Sequence, residues 1–474
     1  MTSGGFVALA PMVAVAATVV VLMIAIAIGR HPRVTIGLTL AGLAVAFALL
    51  FAAGGSPDRA APLLVVDEYA LFYTGLILAA TAAIALLSIR YLDERPEPHD
   101  EYYLLLLLAA LGSIVLVSAA HFVSFFLGLE LLSVSLYGLI AYPRTREQAV
   151  EAGVKYLVLA AASAAFLLFG MALVYAELGT MTFAGLAASA PDRVVLAGVG
   201  LIVVGFGFKL ALVPFHLWTP DVYEGAPAPV AAFLATVSKG AMLALLLRFF
   251  AGIDLRAHHA LFLVFALLSI ASMVGGNLLA LLQLNVKRLL AYSSIAHLGY
   301  LLVAFLASGA MAATAVAFYL VAYFVTMIGA FGVVTVLSSG EHEAETLDDY
   351  RGLLGRRPWL ATVFSATLLS LAGIPLTAGF VGKFYLTVAA GGAALWWLLV
   401  VMMVTSGIGL FYYLRVIVAM CLQPAGEAAA GAAAPRLPLA AGLTLAALTV
   451  LLVWFGVYPA PLIALIRSAV TGMA

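Results

Sequence analysis

The chain has 474 residues, of which 65% are hydrophobic and only 9% are charged. Soluble domains carry about 25% charged residues, so this composition excludes a soluble globular protein and indicates a chain embedded in a lipid bilayer. The balance of 22 basic and 22 acidic residues gives no sign of a nucleic-acid partner, and the single cysteine excludes a disulfide framework.

Apolar runs of about 20 residues, separated by short polar breaks, predict transmembrane helices along the whole chain. The first run has no basic segment before it and exceeds the apolar core of a signal peptide, so we expect a spanning helix and not a cleaved leader. The sequence therefore predicts an all-α polytopic membrane protein with about 14 transmembrane helices. The predicted spans lie near residues 6–29, 34–54, 69–90, 102–119, 121–142, 153–176, 194–217, 227–250, 259–281, 289–307, 312–337, 359–390, 393–421 and 438–458.

The lysines and arginines outside these spans predict the orientation, because cytoplasmic loops carry an excess of such residues. Of the 22 basic residues, four lie within spans, which leaves 18. With the N-terminus outside, 13 of the 18 fall on one side and 5 on the other, so we expect both termini on the periplasmic side of the inner (plasma) membrane. The 13 are Arg30, Arg33, Arg90, Arg95, Arg144, Arg146, Lys287, Arg288, Arg351, Arg356, Arg357, Arg415 and Arg436.

Two spans contain an internal proline, which removes a backbone hydrogen bond and is expected to break the helix within the membrane. Pro214 lies five residues after Lys209, and Pro375 lies eight residues before Lys383. The breaks fall five helices apart, and an odd offset inverts the topology, so the pattern predicts two inverted five-helix repeats with an ion path between them. The predicted division of the chain is an N-terminal part of about three helices (1–100), a first repeat (101–250) and a second repeat (251–421). A C-terminal helix and tail follow (422–474). The alternative is that both prolines only kink their helices.

Ionisable residues at membrane depth are the strongest functional signal. A charged group at the centre of a spanning helix costs about 2.5–3.5 kcal/mol on insertion scales, so it is expected to face a partner or water. Glu130 and Lys239 lie near the middle of their spans, Lys209 just precedes the first break, and Lys383 follows the second. The alternatives are a protonated Glu130 that hydrogen-bonds between helices, a Lys209 that binds carbonyls freed at the break, and a Lys383 that reaches the membrane surface.

Two further residues give weaker signals. Lys155 is close enough to the end of its span to reach the lipid headgroups. His297 can relay protons, but a histidine that hydrogen-bonds between helices is equally ordinary. Lysine and histidine exchange protons, whereas sodium sites prefer carboxylate and carbonyl oxygens. The set Glu130, Lys209, Lys239, His297 and Lys383, with Lys155 as a weaker member, therefore predicts a proton path.

Several segments closely resemble the antiporter-like membrane subunits of respiratory complex I. They are residues 128–139, 209–229, 287–300, 349–353 and 372–384, and the resemblance extends from about 100 to 420. It implies that Glu130 and Lys209 form a switchable ion pair and that Lys239 is the central lysine of the path. It also implies that Lys383 is the terminal lysine of the second broken helix and that Lys155 is the lysine of the sixth helix.

The resemblance also implies proton translocation driven by quinone reduction elsewhere in the complex. The sequence has no Cys/His cluster, Gly-rich dinucleotide motif or Walker-type loop, so redox chemistry is expected on other chains. NAD, FMN, iron–sulfur clusters and quinone are accordingly expected on other subunits. The implied partners are antiporter-like and quinone-site membrane subunits and the lipid bilayer. The alternatives are a subunit of a multisubunit cation/proton antiporter or membrane-bound hydrogenase, and an assembly scaffold.

Overall fold

The structure is a computed structural model that describes residues 3–54, 58–61, 63–189, 192–340, 342–423 and 437–471. Arg436, one of the cations used to predict the orientation, lies outside these residues. Within the described ranges, thirteen helices are long and apolar enough to cross a membrane. The predicted all-α polytopic membrane fold is therefore confirmed.

The helices up to the first break are joined mostly by short loops. Their bounds are α1 Ser3–Ile28, α2 Pro32–Ala53, α3 Glu68–Asp93, α4 Asp100–Val117, α5 Phe122–Ile140, α6 Glu147–Leu178, the short α7 Phe183–Ala187 and α8 Arg193–Leu210. An antiparallel ribbon, β1 (Asp58–Ala61) and β2 (Leu64–Val66), precedes α3 and was not predicted. Aspartate side chains start α3 and α8, because Asp67 and Asp192 accept hydrogen bonds from the first free backbone N–H groups.

The first predicted break lies between α8 and the short helix α9 (Trp218–Gly225). The chain then forms one buried segment of α10 (Ala228–Phe233), a π-helical turn (Leu234–Ser238) and α11 (Lys239–Phe250). The next elements are α12 His259–Leu281, α13 Val286–Ala307, α14 Gly309–Leu337, a 3-10 turn Leu347–Tyr350 and α15 Leu353–Arg356.

The second break divides the predicted span 359–390 into α16 (Pro358–Ala372) and α17 (Ala378–Gly392). Each has 15 residues and is shorter than a spanning helix, so the predicted span that is not among the thirteen corresponds to this broken pair. A left-handed residue ends the helix before each break: Ala211 with φ 57° after α8 and Gly373 with φ 86° after α16. The remaining helices are α18 Trp396–Cys421, α19 Leu439–Val457 and α20 Ala460–Thr471, and α20 occupies part of the predicted C-terminal tail, where it packs on α3 and α14.

Two sets of five crossings pack in the same order. In the first set α4 lies along α5, α6 along α8, and α4 contacts α11. In the second set α12 lies along α13, α14 along the pair α16 and α17, and α12 contacts α18. In each set, the first two helices approach closely at a glycine. A Cβ on Gly112 of α4 would lie 2.6 Å from the Leu132 nitrogen of α5, and one on Gly276 of α12 would lie 2.7 Å from the Ala296 nitrogen of α13.

The two ends of the helix bundle differ in charge. At one end, which we call the cation-rich end, Arg95, Arg146 and Lys287 surround the carboxylate of Glu343. Helix α1 begins and helix α20 finishes at the opposite end. There, β1 packs on α1, and Ser468 of α20 hydrogen-bonds to Glu68 at the start of α3. Both described termini therefore lie on the same side of the bundle.

Candidate functional site

The predicted site residues differ widely in exposure. Lys209, Lys239 and His297 are buried at 4%, 1% and 3% relative exposure, Glu130 and Lys383 are half-buried, and Lys155 is exposed. The buried three lie inside the bundle, where a charged side chain needs polar partners because no bulk water replaces them.

Lys209 lies in the last turn of α8, immediately before the first break. Its amine donates to the hydroxyl of Ser133 at 2.7 Å and to that of Tyr156 at 3.1 Å. The alternative that Lys209 binds carbonyls freed by the break is not what the structure shows. The indole N–H of Trp218 donates to the carbonyl of Phe208 beside the break, at 3.0 Å, and shares this oxygen with the backbone N–H of Ala211.

Glu130 lies one helical turn before Ser133 on α5 but does not contact Lys209 directly. No hydrogen bond or ion pair within 4.0 Å joins the Glu130 carboxylate to that amine. Glu130 shares its stripe of α5 with Leu127 and Val134, both 59% exposed, and so lies on an outer face of the bundle. The ion pair that the resemblance implies is therefore separated in this structure, with the Ser133 hydroxyl on the lysine.

Lys239 follows the π-helical turn and is the most deeply buried of the predicted lysines. Its amine donates to the hydroxyl of Ser294 at 2.7 Å, and the hydroxyl of Tyr323 donates to the same oxygen at 2.8 Å. The ring centre of Tyr223 lies 5.3 Å from the amine. No carboxylate oxygen of the described residues lies within 4.0 Å of it, so a charged Lys239 is held without a direct counter-ion.

His297 lies one turn after Ser294 on α13 and joins two tyrosines. Its Nδ1 lies 2.6 Å from the hydroxyl of Tyr319, and its Nε2 lies 3.2 Å from that of Tyr413. Tyr413 also hydrogen-bonds to Ser293 at 2.5 Å. The histidine thus bridges hydroxyl groups of α14 and α18, which is the arrangement that either a relay or interhelical hydrogen bonding requires.

Lys383 points its amine into the second break. It donates to the carbonyl oxygens of Leu371 and Ala372, both at 2.9 Å, and to the hydroxyl of Ser406 at 2.7 Å. These carbonyls belong to the last turn of α16, where no further backbone N–H is available. Lys383 therefore caps a helix end, and the alternative that it reaches the membrane surface is not the observed arrangement.

Lys155 lies apart from the other predicted residues, in a polar cavity of about 230 Å³ at the cation-rich end. Its amine lies 2.7 Å from Glu151 and 3.0 Å from Asp221, and Arg288 binds the other oxygen of Asp221. Burial would raise the pKa of the Asp221 carboxyl, but the hydrogen bonds from Lys155 and Arg288 outweigh burial and lower it. This cavity offers titratable groups where the bundle meets water.

The sequence analysis missed the hydroxyl partners of the buried groups. Ser294, Tyr319, Tyr323 and Tyr413 contact Lys239 or His297 or link their neighbours. The spacing gave a signal for two of them, because Tyr319 and Tyr323 lie four residues apart and therefore on one face of α14. Which helix that face packs against could not be read from the sequence.

Comparison with known proteins places these features in context. Residues 119–409 match the family described as NADH:quinone oxidoreductase/Mrp antiporter, TM. A protein of Nitrosospira multiformis, named NADH-quinone oxidoreductase subunit N, is 53% identical over 98% of this chain and 96% of its own length. A protein of Methylococcus capsulatus with the same name is 47% identical over 98% of this chain and 95% of its own length.

Solved structures are similar over the whole chain. A chain of respiratory complex I from Thermus thermophilus with bound aureothin is 35% identical, with a TM-score of 0.84 that covers 97% of this chain and 99% of that one. A chain of the Mrp complex from Dietzia sp. DQ12-45-1b has a TM-score of 0.88 over 100% of this chain and 98% of that one. The second likeness shows the fold alone, because the identity is 22%.

Proposed function

The chain belongs to the NADH:quinone oxidoreductase/Mrp antiporter transmembrane family, and we propose that it moves protons through Glu130, Lys209, Lys239, His297 and Lys383. It is a membrane subunit of a proton-translocating NADH–quinone oxidoreductase, and its partners are other membrane subunits of that complex. The segment at residues 218–227 resembles subunit N more than the other antiporter-like subunits, and the names of the relatives confirm that reading. NAD, FMN, iron–sulfur clusters and quinone are placed on other subunits in this proposal.

The environment of Lys239 carries the proposal. A buried ammonium group without a direct counter-ion is costly, and a lysine in such a site changes its protonation state readily. The hydroxyl of Ser294 is the partner of this amine, and a hydroxyl group both accepts and donates hydrogen bonds. Tyrosine, serine and histidine side chains continue from this point towards the second break, where Lys383 lies.

In the proposed direction, a proton enters from the cytoplasm and leaves on the periplasmic side. The cation-rich end would face the cytoplasm, which places both termini on the periplasmic side. Lys155 and Asp221 line the polar cavity at that end and would supply protons. Loading would pass through Lys209 and Lys239 and release through Lys383, while Glu130 biases Lys209 by approaching it or moving away. The two sets of five crossings would be the inverted repeats 101–250 and 251–421.

Conversion of Lys239 to methionine in the assembled complex tests the proposal. We expect fewer protons moved per electron, because methionine keeps most of the side-chain volume and cannot carry a proton. Leu243→Met, one turn further on the same buried helix, is the matched control and should leave this ratio unchanged. A Lys239→Met complex that moves as many protons per electron as the unsubstituted one would contradict the proposal.

Measurements on the same assembled complex distinguish two other functions, a cation/proton antiporter and an assembly scaffold. A multisubunit cation/proton antiporter would give sodium-dependent proton flux without electron transfer. The likeness to the Mrp complex supports only the shared fold, so this alternative is the weaker one. An assembly scaffold would lose assembly to a similar degree when Glu130, Lys209 or Lys239 is substituted, with no change in the proton ratio of the complexes that form.

A further inference from the structure

Lys287 is a fully buried lysine that the proton path does not use. It lies in the first turn of α13, and its side chain is 0% exposed. Its amine donates to the backbone carbonyl oxygens of Glu224 at 2.6 Å and Ala226 at 2.8 Å, and it lies 3.4 Å from the carboxylate of Glu343. Three acceptors therefore surround the three N–H donors of its ammonium group.

The two carbonyls belong to the turn between α9 and α10. Helix α9 ends at Gly225, Ala226 is extended, and α10 begins after Pro227. The last carbonyls of a helix have no partner within it, and proline at 227 and 229 removes two backbone N–H groups from the following turn. Lys287, which belongs to the second set of crossings, supplies the missing donors to a turn of the first set.

The face of α13 that carries Lys287 also carries Ser294, the partner of Lys239. Ser294 lies seven residues after Lys287, which is two helical turns, so both side chains point towards the segment formed by α10, the π-helical turn and α11. Lys287 attaches that segment to α13 at its start, and Ser294 attaches it at Lys239. Every residue from 228 to 247 is buried, so the segment is packed on all sides and a shift of its start is passed to Lys239.

Glu343 is the counter-ion that allows a lysine to be buried at this place. Its carboxylate lies 2.9 Å from Arg95 and 3.2 Å from Arg146 as well as near Lys287, and the hydroxyl of Tyr91 donates to it. Burial would raise the pKa of Glu343, but Lys287 and these three neighbours outweigh burial and lower it. The carboxylate therefore stays ionised opposite the amine of Lys287 at neutral pH.

We propose that Lys287 is a positioning residue for proton transfer at Lys239. By holding the turn between α9 and α10 against α13, it keeps the amine of Lys239 on the hydroxyl of Ser294. The inference rests on the proposed function of Lys239, and it adds a residue that touches neither the path nor the protons that move along it.

A double-mutant cycle in the assembled complex tests this role. The rate of proton translocation per assembled complex is measured for Lys287→Met, Ser294→Ala and the double variant. Each single variant is expected to lower the rate about fivefold, and the double variant is expected to fall no further, because both changes remove the same contact of Lys239. Lys287→Arg, which keeps the charge and the donors, should recover the rate to within about twofold.

The matched control is Arg248→Met, since Arg248 forms a partly buried bidentate ion pair with Asp67 at the far end of α11. It should lower the amount of complex, and its effect should multiply with that of Ser294→Ala. If Lys287→Met does not assemble, Lys287→Gln replaces it in the cycle. Multiplicative losses for Lys287 and Ser294, or non-additivity for the Arg248 control as well, would overturn the inference.

The cycle also separates this inference from the proposed function. Lys239→Met is measured in the same preparation. If it leaves the proton ratio unchanged, the proposed function fails. If it lowers the ratio while Lys287 and Ser294 act independently, only the positioning role fails.

Discussion

Replacement of Glu343 with glutamine tests whether the ion cluster at the cation-rich end stabilises the fold. The carboxylate lies 2.9 Å from Arg95 and 3.4 Å from Lys287, whose side chains are 4% and 0% exposed. Removal of one partner of a buried ion pair costs about 3–5 kcal/mol, because the other charge loses its compensation. Glu345 remains 3.7 Å from Lys287, and two backbone carbonyls still accept from Arg95, so we expect about 3 kcal/mol, the lower limit.

Such a loss lowers the ratio of folded to unfolded chain about 150-fold. Pulse proteolysis of the purified complex at increasing urea concentrations measures this ratio, with the peptides of this chain quantified by mass spectrometry. Asp348→Asn is the matched control, because Asp348 pairs with Arg351 on the surface, and their side chains are 69% and 41% exposed. This change should cost less than about 1 kcal/mol. An equal shift of the urea midpoint for both variants would refute the reasoning.

The same proteolysis measurement checks three further expectations. Gly112→Val should cost about 1–3 kcal/mol, because its side chain would meet the backbone of α5, whereas Gly200→Ala, with open space around it, should not destabilise the chain. Trp218→Phe should cost about 0.5–1.5 kcal/mol, because the carbonyl of Phe208 loses one hydrogen bond and keeps the one from Ala211, while the exposed Trp397→Phe should have little effect. The stabilisation by Glu343 should be complete above the ordinary glutamate pKa of 4.5 and should be lost as the pH falls through its lower pKa in the folded chain. Glu343→Gln should therefore lose less stability between neutral and acidic pH than the unsubstituted chain, and an equal loss would contradict the assignment.

The membrane architecture was predictable because it depends on local composition. Apolar runs of the right length gave the crossings, and Pro214 and Pro375 gave both breaks, since each acts on the backbone within a few residues. The short helix α20 was not distinguished from a tail, because a 12-residue apolar run is too short to be recognised as a span. Its place on α3 and α14 depends on contacts between residues far apart in the sequence.

The partners of the site residues were less predictable than the residues themselves. Glu130 and Lys209 were expected to pair, but the amine of Lys209 binds Ser133, one turn further along α5, and Tyr156 of α6. A difference of one turn depends on helix rotation, which apolar periodicity in a nearly uniform membrane helix does not fix. The predicted roles of these residues in proton transfer stay predictions until the substitutions are measured.

Lys287 shows most clearly what reasoning from the sequence left out. It was counted among the loop cations that indicate the cytoplasmic side, yet its side chain is fully buried. Its counter-ion Glu343 lies 56 residues away in sequence, and the Arg95 that shares this carboxylate lies 248 residues from it. Contacts over such separations are set by the packing of whole helices, so local composition carries no signal for them.

Side chains donate hydrogen bonds to backbone carbonyls at both breaks, but the donating groups differ in chemistry. At the first break the donors to the carbonyl of Phe208 are the indole of Trp218, which keeps its proton at every accessible pH, and the backbone N–H of Ala211. At the second break the donor is the ammonium of Lys383, whose three N–H groups match its three acceptors. A neutral amine has only two N–H groups, which still match the two carbonyls, and its lone pair would then accept a hydrogen bond from the hydroxyl of Ser406. The two halves of the chain therefore differ in their response to charge: a proton leaving Lys383 would reverse its hydrogen bond with Ser406, whereas the donors at the first break are neutral N–H groups.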